Sequence, residues 1–335
     1  MSIKLAINGF GRMGRLFLRS VWDNPAFDIV HINEPAGDAQ CSAHLLEFDS
    51  SHGRFKADQI HFNDDAILID DKKIKYTRDS DLAKTPWGKV DLLIEASGRY
   101  RQTVLFDPVF AQGVKKVLVA CPVKDGDTLN IAYGVNHHLY HAQAHHLVTA
   151  ASCTTNCLAP VIKVLLDNFG IEKGAMTTIH DITNTQSIMD SHHKDLRRAR
   201  ACNESLIPTT SGSTSAIMKI FPELTGKLNG LAVRVPIANA SIVDLVVQTS
   251  RPVSEKEVND AFEIASRGEL NNILGFETRP LVSVDYKDDT RSAIVDGLST
   301  QVTDGDMVKV IAWYDNEINY VARMKDIALM IARHL

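Results

Sequence analysis

The chain has 335 residues, of which 44% are hydrophobic, with 36 Lys and Arg against 41 Asp and Glu and a formal net charge of -5. That length suggests about two domains, each with enough apolar residues for a core. The slightly acidic balance excludes broad electrostatic binding to nucleic acid, and no uninterrupted apolar run approaches the ~18 residues of a membrane span. Five cysteines without a C-x-x-C pair fit a reducing compartment better than a disulfide framework. The chain opens on a strand, with no basic-then-apolar leader, so a cytoplasmic location is expected.

Lys4 to Asn8 reads as a strand, and Gly9-Phe10-Gly11-Arg12-Met13-Gly14 follows at once, running into a helix that ends near Trp22. This is G-x-G-x-x-G in its proper setting. Gly9, Gly11 and Gly14 permit the tight turn and the close approach of backbone to a pyrophosphate, which rests on the helix N-terminus. A second strand, Asp28 to Ile32, leads to Asn33 and Glu34. Glu34 lies about 20 residues past the motif, where an acid binds ribose hydroxyls and repels a 2′-phosphate, so NAD is expected over NADP. Further strands are expected at Val90 to Glu95 and Lys116 to Ala120, and Ser97-Gly98 forms a small turn at the cofactor end of the first of these. Arg78 has two readings, stacking on an adenine or lying solvated on the surface. The run 137–146 holds His137, His138, His141, His145 and His146. His137 and His141 would share a helical face, but no thiol or carboxylate cluster completes a metal set, so no metal site is expected.

The second half turns on Ala150-Ala151-Ser152-Cys153-Thr154-Thr155-Asn156. A short strand, His146 to Thr149, precedes it. Cys157, Leu158, Val161, Ile162, Leu165, Leu166 and Phe169 follow at helical spacing, with Pro160 expected to kink the helix. Cys153 therefore sits near a helix N-terminus, where the dipole and free N–H groups stabilise a thiolate. Ser152 and Thr154 add hydroxyl donors suited to an oxyanion or phosphate, whereas Cys157, one turn on, reads as core. Gly174 to Ile182 alternates like a strand and puts His180 and Thr178 on one face; His180 is the best-placed base for Cys153. Ser211-Gly212 is a second hydroxyl-and-glycine turn suited to a phosphate. Arg234, in an apolar run, needs a partner or a ligand. Alternating strands are expected at Ile242 to Gln248, Leu281 to Asp285 and Met307 to Tyr314, with a helix from Glu317 to Leu335.

Taken together, Ala-Ile-Asn-Gly-Phe-Gly-Arg at 6–12, Ala-Ser-Cys-Thr-Thr-Asn-Cys at 151–157, Thr-Thr-Ile-His at 177–180, His-Lys-Asp-Leu-Arg-Arg-Ala-Arg at 193–200, Arg-Val-Pro at 234–236 and Trp-Tyr-Asp-Asn-Glu at 313–317 resemble phosphorylating glyceraldehyde-3-phosphate dehydrogenases along essentially the whole chain. The resemblance implies an α/β protein. A Rossmann dinucleotide-binding domain over 1–150 would be joined by an α+β catalytic domain with a mainly antiparallel sheet over 151–316, and the helix at 317–335 would pack back on the first domain. It implies a homotetramer and no nucleic-acid or membrane partner. Cys153 would be the nucleophile and His180 the base. Thr183 and Arg234 would hold the C3 phosphate of glyceraldehyde 3-phosphate. Ser152, Thr154, Ser211 and Gly212 would hold the attacking phosphate, Arg198 would serve one or both anions, and Arg12, Met13, Glu34, Arg78 and Asn316 would contact NAD. Glu34 stands where Asp is usual, a feature shared with erythrose-4-phosphate dehydrogenases. The segments Asn33 to Asp38 and His180 to Gln186 look like a branch associated with arsenate resistance, in which arsenate replaces phosphate as acceptor. A non-catalytic, NAD-responsive binding module is the alternative outside enzymes.

Overall fold

The computed structural model describes residues 2–123, 125 and 128–335. The chain forms two compact units. One comprises Met1–Tyr133, His137–Ser152 and Val321–Leu335; the other comprises Gly134–Asn136 and Cys153–Tyr320.

The first unit contains, in chain order, β1 (Ile3–Asn8), α1 (Arg12–Val21), β2 (Phe27–Asn33), α2 (Ala39–Glu47), β3 (Phe48–Asp49), β4 (Gly53–Arg54), β5 (Ile60–Asn63), β6 (Ala66–Ile69), β7 (Lys72–Thr77), β8 (Leu92–Glu95), α3 (Asp107–Ala111), β9 (Lys116–Val119), β10 (Leu129–Asn130) and β11 (Leu147–Thr149). Its sheet has the order β10-β11-β9-β8-β1-β2-β7-β6-β5. Pairing is parallel from β10 to β7 and antiparallel through β6 and β5. The central strands are continuous apolar runs, with Leu5, Ala6 and Ile7 and also Leu92, Leu93 and Ile94 at zero exposure, as expected for parallel strands covered on both faces. The chain reverses its progression across the sheet between β1 and β8, so the crevice for a ligand opens at their carboxyl ends.

Two glycines set the packing there. Gly9 has φ +87, and a Cβ on it would lie 2.4 Å from the backbone nitrogen of Ser97; a Cβ on Gly14 would lie 2.1 Å from the carbonyl oxygen of Gly9. Both obstacles are backbone, so no rotamer change relieves them. Gly14→Ala should push α1 away from β1 and destabilise the unit by about 1–3 kcal/mol, visible as a lower thermal midpoint. An unchanged midpoint would mean that the helix seats less tightly than this geometry requires.

The second unit contains α4 (Cys153–Phe169), β12 (Lys173–His180), β13 (Ile207–Thr210), α5 (Ser213–Ile220), β14 (Leu228–Arg234), β15 (Ser241–Gln248), α6 (Glu255–Arg267), β16 (Leu274–Glu277), β17 (Ala293–Asp296), β18 (Gln301–Thr303) and β19 (Met307–Tyr314). The last helix, α7 (Ile318–Ala332), begins in this unit and passes into the first. The sheet order is β13-β14-β12-β15-β19-β17-β16, with β18 pairing β19. It is mostly antiparallel, with parallel pairs at β12/β14 and β16/β17. β15 and β19 alternate between buried and half-exposed positions, and α4 packs against β15, β17 and β19. Pro160 lies inside α4, which continues as one helix to Phe169.

Three local expectations need correction. Residues 281–285 are not a strand: Ser283–Tyr286 form a 3₁₀ turn, closed by the Val282 N–H donating to the Asp285 carboxylate at 2.8 Å. A local side-chain bond offers that backbone an alternative to a ladder. The histidine run is not a helix beyond the short turn His137–Leu139, so His137 and His141 share no helical face. His137 stacks on Tyr133 at 4.4 Å, and His141 faces His145 at 6.0 Å. The β6–β7 hairpin was not anticipated, although Asp70 and Asp71 at its tip both take left-handed φ, +49 and +64, in the manner of a two-residue primed turn.

Candidate active site

The site in the second unit begins with a backbone turn. Ala151 takes φ +53, a left-handed conformation that costs a non-glycine residue on the order of 1 kcal/mol. The chain then enters α4 at Cys153. Cys153 remains partly exposed, whereas Cys157, one turn further on, is sealed. Across the sheet, β12 delivers His180 from its buried face, and the Cys153 sulfur lies 3.6 Å from His180 Nε2. The crowded surroundings of the sulfur oppose a charge, but the hydrogen bond and the positive charge of His180 prevail, and the thiol pKa is lowered. Burial likewise disfavours a charged imidazole, yet hydrogen bonds to Asp181 and Cys153 raise His180 to about 9. Both shifts run in the direction that favours a thiolate–imidazolium pair. Cys157 is the control: without such a partner, burial drives its pKa well above the ordinary thiol value.

A hydroxyl chain braces this pair. Thr178 donates to the carbonyl of Ile242 at 3.1 Å. Its oxygen is then left to accept from the Tyr314 hydroxyl at 2.8 Å, and the Tyr314 oxygen accepts from Thr154 at 3.0 Å. Tyr314 is fully buried, with its ring edge-on to His180 at 6.0 Å. It therefore ties the first turn of α4 to β12 at the two places that carry the sulfur and the ring.

Arg234, at the end of β14, places Nη1 2.8 Å from His180 Nδ1 and 3.3 Å from the Asp181 carbonyl. Its Nε is buried with no hydrogen-bond partner among the described residues. Burial lowers the Arg234 pKa, and Arg198 lowers it further by repulsion. Arg198 donates to the Thr185 hydroxyl at 2.9 Å, which in turn bonds the Thr183 hydroxyl at 2.9 Å. Arg198 also pairs with Asp195 at 3.5 Å; its guanidinium, that of Arg234 and the two threonine hydroxyls are donors suited to an oxyanion. Ser211 and Gly212 stand immediately before α5, with the Ser213 N–H donating to the Ser211 hydroxyl at 3.2 Å. Ser152 is half-buried and directly precedes Cys153.

The first unit carries the dinucleotide motif. Gly11 precedes α1, offers no side-chain cap, and has nothing within 4 Å of where its Cβ would stand. The start of α1 thus leaves room for a pyrophosphate to approach the backbone at Gly11, and the residues present fit NAD. The Glu34 carboxylate, at the end of β2, accepts from Phe10 N at 2.6 Å and from Ala36 N at 2.9 Å, so it also closes the glycine loop. Arg12 pairs with Asp49, Met13 is half-buried and Arg78 is exposed just beyond β7. Ser97 donates from both its N–H and its hydroxyl to Glu95, whose other oxygen accepts from Asn8. Burial raises Glu95 to about 7, against the pull of those hydrogen bonds. The Ser97-Gly98 turn is thereby fixed over β1.

Asn316 belongs to the second unit, where its side chain bonds Ser241 at 3.4 Å and Asp181. Three residues tied to these sites were not singled out in the sequence: Asp181, Glu95 and Tyr314. For Asp181 the signal was present, a carboxylate directly after the candidate base on a strand end. Tyr314 gave none, because a buried tyrosine in a strand reads as core.

Comparison with known proteins agrees with this geometry. Residues 3–103 match the family model described as glyceraldehyde 3-phosphate dehydrogenase, NAD binding domain, and residues 152–316 match the C-terminal domain of the same family. The chain is 53% identical to glyceraldehyde-3-phosphate dehydrogenase 3 of Nostoc sp. over the full length of both proteins. It is 47% identical to glyceraldehyde-3-phosphate dehydrogenase 1 of Bacillus cereus over 97% of each, and 46% identical to the enzyme of Geobacillus stearothermophilus over 99% of each. The chain therefore belongs to the glyceraldehyde-3-phosphate dehydrogenase family of NAD-dependent oxidoreductases that act on an aldehyde.

Proposed function

We propose that this chain oxidises glyceraldehyde 3-phosphate through a covalent intermediate on Cys153 and releases the acyl group to a tetrahedral oxyanion, either inorganic phosphate or arsenate. The observation that carries the reading is the sulfur of Cys153 at a helix start, 3.6 Å from His180 Nε2, with its pKa lowered. The thiolate attacks the aldehyde carbon, and the developing oxygen, held by the Cys153 N–H, takes the proton of the imidazolium, which leaves a neutral ring beside the thiohemiacetal hydroxyl. His180 then takes the hydroxyl proton of the thiohemiacetal. Bound NAD supplies the acceptor for the hydride that leaves this carbon. The resulting thioester is attacked by the second oxyanion, which frees Cys153.

Two anions have to be held. Thr183 and Arg234 take the C3 phosphate; Ser152, Thr154, Ser211 and Gly212 take the attacking oxyanion, and Arg198 serves one or both. The unpartnered Nε of Arg234 supports this assignment. Gly9, Gly11 and Gly14 admit the pyrophosphate, Glu34 binds ribose hydroxyls, and Arg12, Met13, Arg78, Ser97, Gly98 and Asn316 complete the NAD contacts. The outer face of the second sheet supports assembly into a homotetramer: Leu231 and Met307 are exposed and Ile242, Val246, Ile311 and Trp313 half-exposed on it, an apolar surface of the kind that marks an interface. Among the described residues no helix is long and apolar enough to cross a membrane; the cytoplasmic location proposed for the enzyme rests on its cysteine usage.

Steady-state NADH formation tests the reading. Turnover on glyceraldehyde 3-phosphate should exceed that on erythrose 4-phosphate, and NAD should be preferred to NADP because Glu34 would face the 2′-phosphate. The reverse substrate order would assign an erythrose-4-phosphate dehydrogenase; no NADH with any aldehyde would assign a non-catalytic NAD-binding module. Phosphate and arsenate share shape and charge, so the acceptor is assigned to whichever gives the higher kcat/KM.

A further inference from the structure

The immediate neighbour of the base is itself an acid. Asp181 follows His180 at the end of β12, is 1% exposed, and sets Oδ1 2.7 Å from His180 Nδ1. Its remaining bonds hold it in place: its N–H donates to the Ser241 hydroxyl at 3.1 Å, that hydroxyl lies 3.5 Å from Oδ1, and the Asn316 side chain bonds the carboxylate. A buried carboxylate on the far nitrogen of an imidazole, with a nucleophile on the near one, is the arrangement in which the acid fixes the ring's orientation and stabilises its charged form.

We infer that Asp181 is a positioning residue that completes a Cys153–His180–Asp181 triad, its carboxylate accepting a hydrogen bond from His180 Nδ1–H so that the imidazolium survives burial and holds Cys153 as a thiolate. The inference rests on the Cys153–His180 pair proposed above and assigns to it a third member. Every charged group packed on the ring bears on the argument. Cys153 faces it from α4, Tyr314 from β19 and Arg234 from β14; Cys157 acts on Tyr314, Arg198 on Arg234, and Glu317, ahead of α7, on Asp181. Arg234 competes directly. A guanidinium only donates, so Nδ1 accepts from Arg234 when it carries no proton, and when it carries one it donates to Asp181, whose carboxylate lies at 2.7 Å and whose carbonyl lies at 3.0 Å. An anion that draws Arg234 away leaves Nδ1 to Asp181.

Two effects of Asp181 on the thiol oppose each other. Its charge alone repels the thiolate and raises the Cys153 pKa. Its hydrogen bond to His180 is the largest influence keeping the ring charged against burial. If the triad operates, the second wins, because without its counter-ion the buried ring loses its proton and leaves the sulfur beside a neutral partner.

The test is the rate of Cys153 alkylation by iodoacetamide against pH, in the full-length protein without substrate. Asp181→Asn should move the thiol's titration upward by about one unit or more, so that alkylation near neutral pH slows roughly tenfold; Asp181→Glu, which keeps the charge, should restore part of it. An unchanged or lowered titration in the Asn variant overturns the role of Asp181, since simple relief of repulsion predicts that direction. If the wild-type thiol itself titrates in the ordinary range, the Cys153–His180 pairing fails first, and the two failures are told apart. Should the Asn variant not fold, Asp181→Ser provides the same comparison.

Discussion

Cys153→Ser should lose NADH formation by about 10⁴-fold or more, because the mechanism has no bond-forming atom without that sulfur. A serine hydroxyl is a far weaker acid than a thiol, and the neighbours here are arranged to stabilise an anion that forms readily: a helix N-terminus, an imidazolium 3.6 Å away and, beyond it, Arg234. The substitution removes no packing volume of consequence, so NAD binding, followed by fluorescence quenching, should persist while turnover disappears. Near-normal turnover in the serine variant would exclude the covalent scheme altogether.

His180→Asn should slow the reaction by about 10²–10⁴-fold, and it should change the sulfur as well as the proton transfer. The comparison with Cys157 gives the reason. Both cysteines lie on α4, and burial pushes both thiols toward the neutral form; Cys153 escapes chiefly through the hydrogen bond and charge of His180, with a smaller pull from Arg234. With the ring gone, the Cys153 pKa should rise past the ordinary thiol range. The sign is fixed by the coupling: the ring's folded pKa is raised to about 9, so at neutral pH the ring is charged and favours the thiolate, whose pKa it lowers, and the variant loses that influence. Alkylation rates of the variant should therefore be low at pH 7 and recover only in strong alkali. A variant whose alkylation profile matched the wild type would show that the helix terminus alone holds the anion, and His180 would then be left with proton transfer only.

The nucleotide loop and the cysteine turn were legible because each is written in a few adjacent residues. G-x-G-x-x-G after a strand names a loop, and Ala-Ser-Cys-Thr-Thr-Asn before an apolar period names a helix start. Local strand and helix periods likewise located most of the elements near the sites. Where a local side-chain bond competed with pattern, as at Val282 with Asp285, period-two alternation misled. The β6–β7 hairpin at 66–77 gives no such signal, because its turn is Asp-Asp, with no glycine to mark it.

What the chain order determined by itself was the inventory: a nucleotide loop, a cysteine poised at a helix terminus, a histidine on a strand face and arginines in need of anions. Only folding decided which of these act together, because the partners are distant in sequence. Cys153 and His180 meet because β12 runs beside the start of α4; Tyr314 links Thr154 to Thr178 from more than a hundred residues away; and Arg234 arrives at His180 by the parallel register of β14 on β12. Even Asp181, adjacent in sequence to the base, gained a possible role only when burial stripped away water and left the imidazole nitrogen as its nearest charge partner, since a carboxylate in solvent is screened and a buried one is not.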